Sequence, residues 1–159
     1  MEALNENNFP YRGYAWHAVR CARSAEHHQE IGFNDRAFLD YQMAIVRLLK
    51  QLIIWKGVAV SKSLMQSHRT LGLYECCYGA GSANGELRSL LLKLDKSYFE
   101  TTYPTKYDID DELEALYYGD AELVFAAKDL FYSLLKECVQ LRDNRASAVQ
   151  SKVQKLILE

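Results

Sequence analysis

Proline is nearly missing from this 159-residue chain, which carries it only as Pro10 and Pro104. With so few breakers, long helices meet little local opposition, and each proline marks a point where a helix must stop. An excess of charge of either sign is missing too. The 19 Lys and Arg against 21 Asp and Glu give a formal net charge of −2. That excludes a global attraction to nucleic acid or to an anionic membrane, so either would require a local basic patch. No apolar run approaches the ~20 residues that span a bilayer. The opening "MEALNENNFPYRGY" lacks the charged and apolar regions of a signal peptide, so a cytoplasmic location is expected. The four cysteines, Cys21, Cys76, Cys77 and Cys138, include no CxxC spacing. They read as buried reduced thiols, and no metal or other cofactor is expected.

What is present is helix-forming. At 49% hydrophobic and 25% charged residues, the chain fits one domain over residues 1–159. From Tyr14 to Ile31, Ala15, Ala18, Ala22 and Ala25 recur at three and four residues and form a small-residue stripe that lets another helix approach closely. Gly32 and Asn34 interrupt it, with Asp35 as the expected cap of the next helix. "RAFLDYQMAIVRLLKQLIIWKG" puts Phe38, Tyr41, Ala44, Ile45, Leu48, Leu49 and Leu52 on one apolar arc of a central helix. Arg36, Asp40, Arg47 and Lys50 make its opposite face polar, and Gly57 ends it.

The segment "LMQSHRTLGLYECCY" predicts one shorter third helix with Leu64, His68, Leu71 and Tyr74 or Glu75 along a side. Leu87, Leu90, Leu91, Leu94 and Tyr98 mark a fourth helix, ended before Pro104 in a loop "YFETTYPTKYD". "DDELEALYY" allows a short helical turn. Gly119 and Asp120 read as a stop and a new cap, and the last helix then runs to Leu158 with a weak point near Asn144. No strand alternation, internal repeat or low-complexity linker is present. The expected fold is all-α, an up-and-down bundle of about five helices with a long C-terminal helix.

Few local patterns carry chemistry. "GAGSANGE" has Gly79, Gly81 and Gly85, but glutamate stands where a phosphate-binding loop needs lysine, and it reads as an interhelical loop. His17, Cys21 and His28 share one face of the first helix. His17 and His28, however, lie roughly 16 Å apart along its axis, too far for one metal ion. No acid pair, serine triad or cysteine–histidine dyad has local spacing. The remaining basic groups are Arg47 and Lys50 on the central helix, His68 and Arg69 on the third, and Lys106 in the loop. With Tyr98 and Tyr103 they could meet a phosphate and a base, the cations neutralising the one and a tyrosine stacking on the other. The alternative is that they are solvated faces.

The order of segments resembles the HEPN domain, the higher-eukaryote and prokaryote nucleotide-binding family, from about Tyr14 to Cys138, with residues 139–159 as a helical extension. The residues that carry the resemblance are Gln42, Ala44 and Lys50 in the central helix and His68 opening the third. Tyr103 and Pro104 match in the loop, and Asp120, Ala121 and Glu122 match at the start of the last helix. Two positions depart from the family pattern: Thr102 stands where many relatives have arginine, and Arg69 follows the histidine where aspartate is common. The cation is therefore expected on the helix rather than the loop. Ribonuclease relatives carry arginine, four to six residues, then histidine on a late helix, and here no histidine follows His68. That spacing occurs only as Arg12 to His17, Arg20 to His27 and Arg23 to His28.

The resemblance implies a non-catalytic nucleotide- or nucleic-acid-binding module, acting beside a nucleotidyltransferase in a toxin–antitoxin-like pair. The expected ligand is a nucleotide or RNA. The site expected from these residues is His68, Arg69, Tyr98, Tyr103, Lys106 and Lys50. Alternatives are a metal-independent ribonuclease using Arg20 or Arg23 with His27 or His28, or a ligand-free dimeric scaffold. A homodimer is expected because Val149, Val153, Leu156 and Ile157 continue an apolar stripe past the family match.

Overall fold

The computed structural model describes residues 4–102 and 120–158, with the backbone alone for 100–102 and 152–158. The described residues form six α-helices after a short 3-10 turn: α1 (Tyr14–Glu30), α2 (Asn34–Lys56), α3 (Lys62–Gln66), α4 (Thr70–Tyr78), α5 (Gly85–Thr102) and α6 (Ala121–Leu158). The fold is all-α, with no strand among the described residues. The loop around Tyr103 to Asp108 and the turn expected in "DDELEALYY" lie outside them.

Local chemistry sets the helix ends. Gly57 adopts φ +68°, its N–H bonds Ile54 O, and the Val58 N–H reaches back to Ile53 O, closing α2 with a left-handed cap that disfavours a side chain. Gly32, at φ +82°, ends α1 in the same way through bonds from Gly32 N to Gln29 O and from Phe33 N to His28 O. Asp120 caps α6 as expected, its Oδ1 accepting from Glu122 N at 2.9 Å. Asp35 is not the cap of α2. That helix begins one residue earlier, at Asn34, and Asp35 lies in its first turn, where its charge favours the helix dipole.

Helix α2 is the axis of the molecule and packs against α1, α4, α5 and α6. The alanine stripe of α1, Ala15, Ala18, Ala22 and Ala25, is wholly buried against it. Leu73 from α4, Leu91 and Leu94 from α5, and Val124, Ala127 and Phe131 from α6 complete a core around Ile45, Leu48, Leu49 and Leu52. Being surrounded, α2 also buries side chains expected on a polar face. Asp40 and Lys50 are only 7% and 6% exposed, and Gln42 and Gln51 are buried beside them. All four cysteines are free. Cys77 and Cys138 are buried as expected, whereas Cys21 and Cys76 are only half-buried. Burial pushes the Cys138 thiol up to about 12.

The expected third helix is two helices, α3 and α4, with Ser67, His68 and Arg69 between them. The Ser67 hydroxyl donates to Leu64 O at 2.7 Å, and the backbone turns extended at this residue. Beyond the break, the Asp95 carboxylate of α5 accepts from Thr70 N at 2.6 Å and from Leu71 N at 3.4 Å. A carboxylate at this helix start takes up amide donors that the preceding turn would otherwise satisfy. A side chain 25 residues away therefore starts α4.

Candidate functional site

His68 sits in the α3–α4 break, and two other helices hold it there. Gln42 Nε2 of α2 donates to the His68 carbonyl at 2.9 Å and to Thr70 Oγ1 at 3.3 Å. The imidazole stacks on Tyr98 of α5, with centroids 4.5 Å apart. Its Nδ1 is buried without a hydrogen-bond partner, as is Gln42 Oε1. Lys50 lies two turns further along α2 and is nearly enclosed. Its ammonium makes a cation–π contact, 5.9 Å from the Tyr14 ring centroid, and it joins no ion pair among the described residues.

Arg47, one turn before Lys50 on the same helix, is equally without a carboxylate among those ion pairs. Its Nη1 donates to Cys21 Sγ of α1 at 2.8 Å. Burial holds the Cys21 thiol above its ordinary range, so the sulfur accepts this bond as a neutral group. His17, one turn before Cys21 on α1, completes the group.

The electrostatics of these residues share one pattern. His68 is held below the ordinary histidine range first by burial, then by the charges of Lys50 and Arg47. Lys50 is lowered by burial and by Arg47. His17 is exposed, and it is lowered first by the slight desolvation it has and then by Arg47, by Arg20 and by Arg12. Positive charges thus act on His68, Lys50 and His17 with no carboxylate among the groups that shift them, Asp40 acting on Cys21 instead, an arrangement that favours an anion.

Of the expected site residues, the structure brings together His68, Tyr98 and Lys50. Arg69 is the N-cap of α4 and is exposed, and its charge is not among those acting on His68. Tyr103 and Lys106 lie outside the described residues. The sequence reading left out His17, Tyr14 and Gln42 as site members, and it named Arg47 only among the basic groups that could meet a phosphate. A signal for two of them exists, since Tyr14, His17 and Cys21 share the face of α1 at spacings of three and four. What it faces becomes apparent only when α1 packs on α2.

Among the described residues, no catalytic constellation accompanies this group. Ser24, His28 and Asp40 do cluster, but Asp40 Oδ2 accepts from both Ser24 Oγ at 2.7 Å and His28 Nδ1 at 2.8 Å. Ser24 Oγ and His28 Nδ1 also lie 3.5 Å apart, but both donate to the carboxylate, so that ring nitrogen is not free to take the serine proton. Arg23 pairs with Glu6 at 2.7 Å, and Arg20 lies over the Trp16 ring. No set of three or more His, Cys, Asp or Glu side chains among the described residues could hold a metal ion. No helix of the described residues is long and apolar enough to cross a membrane. Comparison of the chain with protein-family models, with curated proteins and with solved structures finds no match in any of the three.

Proposed function

We propose that the chain is a nucleotide- or nucleic-acid-binding module of the HEPN kind, non-catalytic itself and acting beside a nucleotidyltransferase partner. One observation carries the reading: Lys50 and Arg47, without an ion-pair partner among the described residues, act with their charges on a histidine stacked on a tyrosine. The two cations supply the charge that a phosphate needs, and the rings of Tyr98 and Tyr14 supply aromatic surface for a base. Arg69 is an outer cation at the rim. The module works as a homodimer through the exposed end of α6, where Val149 is 61% exposed. Of the groups a ribonuclease reading would use, His28 and Arg23 are each engaged by a carboxylate and Arg20 lies over the Trp16 ring.

Equilibrium titration of purified protein with mononucleotides and a short RNA tests the reading. Binding by wild type should weaken tenfold or more in Arg47→Ala, as expected for the ~1.5–3 kcal/mol of a charged contact. Equal binding by the two proteins would remove the site. No binding by either would leave a ligand-free scaffold.

A further inference from the structure

Resting on the nucleotide reading, we propose that this site selects a phosphomonoester dianion, the terminal phosphate of a mononucleotide, and that its arrival is accompanied by uptake of a proton on the His68 ring. Three features of the geometry lead there. First, Arg47 and Lys50 contribute two fixed positive charges without a described carboxylate. A diester carries one negative charge and neutralises half of that, whereas a monoester dianion neutralises all of it. Second, the Lys50 side chain is nearly enclosed. A phosphate must enter deeply to reach the ammonium. A terminal phosphate does so with three bare oxygens leading, but an internal phosphodiester would have to bury the sugars on both sides. Third, His68 Nδ1 is buried and has no partner. Protonated, the ring becomes a donor at both nitrogens and gains an acceptor when a phosphate oxygen arrives.

The coupling follows from what faces the ring. Lys50 and Arg47 of α2 act on it with positive charge, and Tyr98 of α5 covers one face. Asp95 of α5 lies three residues before Tyr98, with its carboxylate occupied by Thr70 N and Leu71 N. Arg69, next in the chain to His68, is exposed, and the Arg47 charge also acts on His17 of α1. In the empty site, burial and the two cations disfavour a further proton. A dianion cancels the cations and adds an attraction of its own, so the imidazole takes a proton from solvent as the phosphate binds.

Isothermal titration calorimetry of the whole chain with adenosine monophosphate and cyclic adenosine monophosphate tests this, in two buffers of different ionisation enthalpy. At about pH 7.5 the monoester, with its second pKa near 6, is already almost wholly dianionic and releases little proton itself. The monophosphate should bind at least tenfold more tightly than the cyclic diester. The buffer difference should report uptake approaching one proton, lost in His68→Asn and kept in His27→Asn, a change at an exposed residue of α1 outside the site. Because the asparagine variant could disturb the α3–α4 break, the wild-type His68 ring is also titrated by nuclear magnetic resonance. Its pKa should rise when the monophosphate is present. Equal binding of the diester, binding without proton uptake, or an unmoved His68 titration would overturn the inference and leave the nucleotide reading standing. Failure of both ligands and of other nucleotides to bind would remove both.

Discussion

The imidazole of His68 lies on the phenol ring of Tyr98 with centroids 4.5 Å apart and planes 19° from parallel. An uncharged imidazole stacks on an aromatic face as an ordinary apolar partner, and a protonated one gains a cation–π attraction on the same face. Tyr98 therefore supports the ring in either state and moves little charge itself. What fixes the ring's position is the backbone beneath it, held by Gln42.

Gln42→Leu tests that anchoring. Leucine fills much of the same volume but leaves the His68 carbonyl and the Thr70 hydroxyl without their donor. The expected loss is about 1–3 kcal/mol in denaturant unfolding, with weaker nucleotide binding because the His68 ring is no longer placed. An unchanged midpoint together with unchanged binding would show that Asp95 alone holds the break.

Leu48→Ala tests the central arc of α2. Leu48 is wholly buried in the core between the flanking helices. Its truncation should cost about 2–5 kcal/mol, read as a shift in the urea midpoint. A loss below about 1 kcal/mol would mean that the neighbouring side chains collapse into the space.

These outcomes depend on features that differed in how readable they were. The stripe of Ala15 to Ala25, the arc through Leu48 and the stops at Gly32 and Gly57 are legible because each arises from local spacing or from a backbone angle that favours glycine. The α3–α4 break is not. Leu64, His68 and Leu71 run through it at helical spacing, with no glycine or proline at the break itself. The groups that open it, Gln42 and Asp95, come from distant parts of the chain. Lys50 was legible as a candidate cation but not as a buried one. Its burial follows from α2 being packed on every side, which no single helix pattern reports. The Arg47 bond to Cys21 likewise exists only once α1 and α2 meet.

Acid should destabilise the ligand-free protein through the same histidines. His68 and His17 both have folded pKa values below their unfolded values. As pH falls below about 6.5, the unfolded chain takes up protons that the folded site resists, so stability drops; above that pH their effect vanishes. His17 is exposed, and the larger share is expected from His68. Melting temperatures from about pH 7.5 to 5.5 should fall less in His68→Asn than in wild type, and sulfate should restore more stability at the acid end. A sulfate effect independent of pH would separate anion binding from protonation.

The end of α6 should carry the homodimer. Residues 143–151 are all exposed. In the sequence, Ala146, Val149, Val153 and Leu156 alternate at three and four residues, the spacing of a coiled-coil seam. Sedimentation analysis should find a dimer for the whole chain and a monomer when residues 146–159 are removed. The shortened chain should still melt cooperatively, since the core helices remain. The same mass for both forms would reject this seam.

Lys50→Met sets stability against binding in one substitution. Methionine keeps a flexible chain of similar reach and buries it in an apolar wall, but it removes a charge whose burial has no described counter-ion to offset it. Removing an uncompensated buried charge should stabilise the ligand-free protein by about 0.5–2 kcal/mol, the range usual for relieving a functional liability. The same change should weaken monophosphate binding tenfold or more, because the phosphate loses a charged donor worth about 1.5–3 kcal/mol. The opposed signs are the diagnostic. If Lys50 served the fold, methionine would lower the melting temperature, and if the ammonium never met a ligand, affinity would not move. Higher stability with lost binding is what a cation kept at a cost for an anion requires, and either other outcome would take Lys50 out of the site.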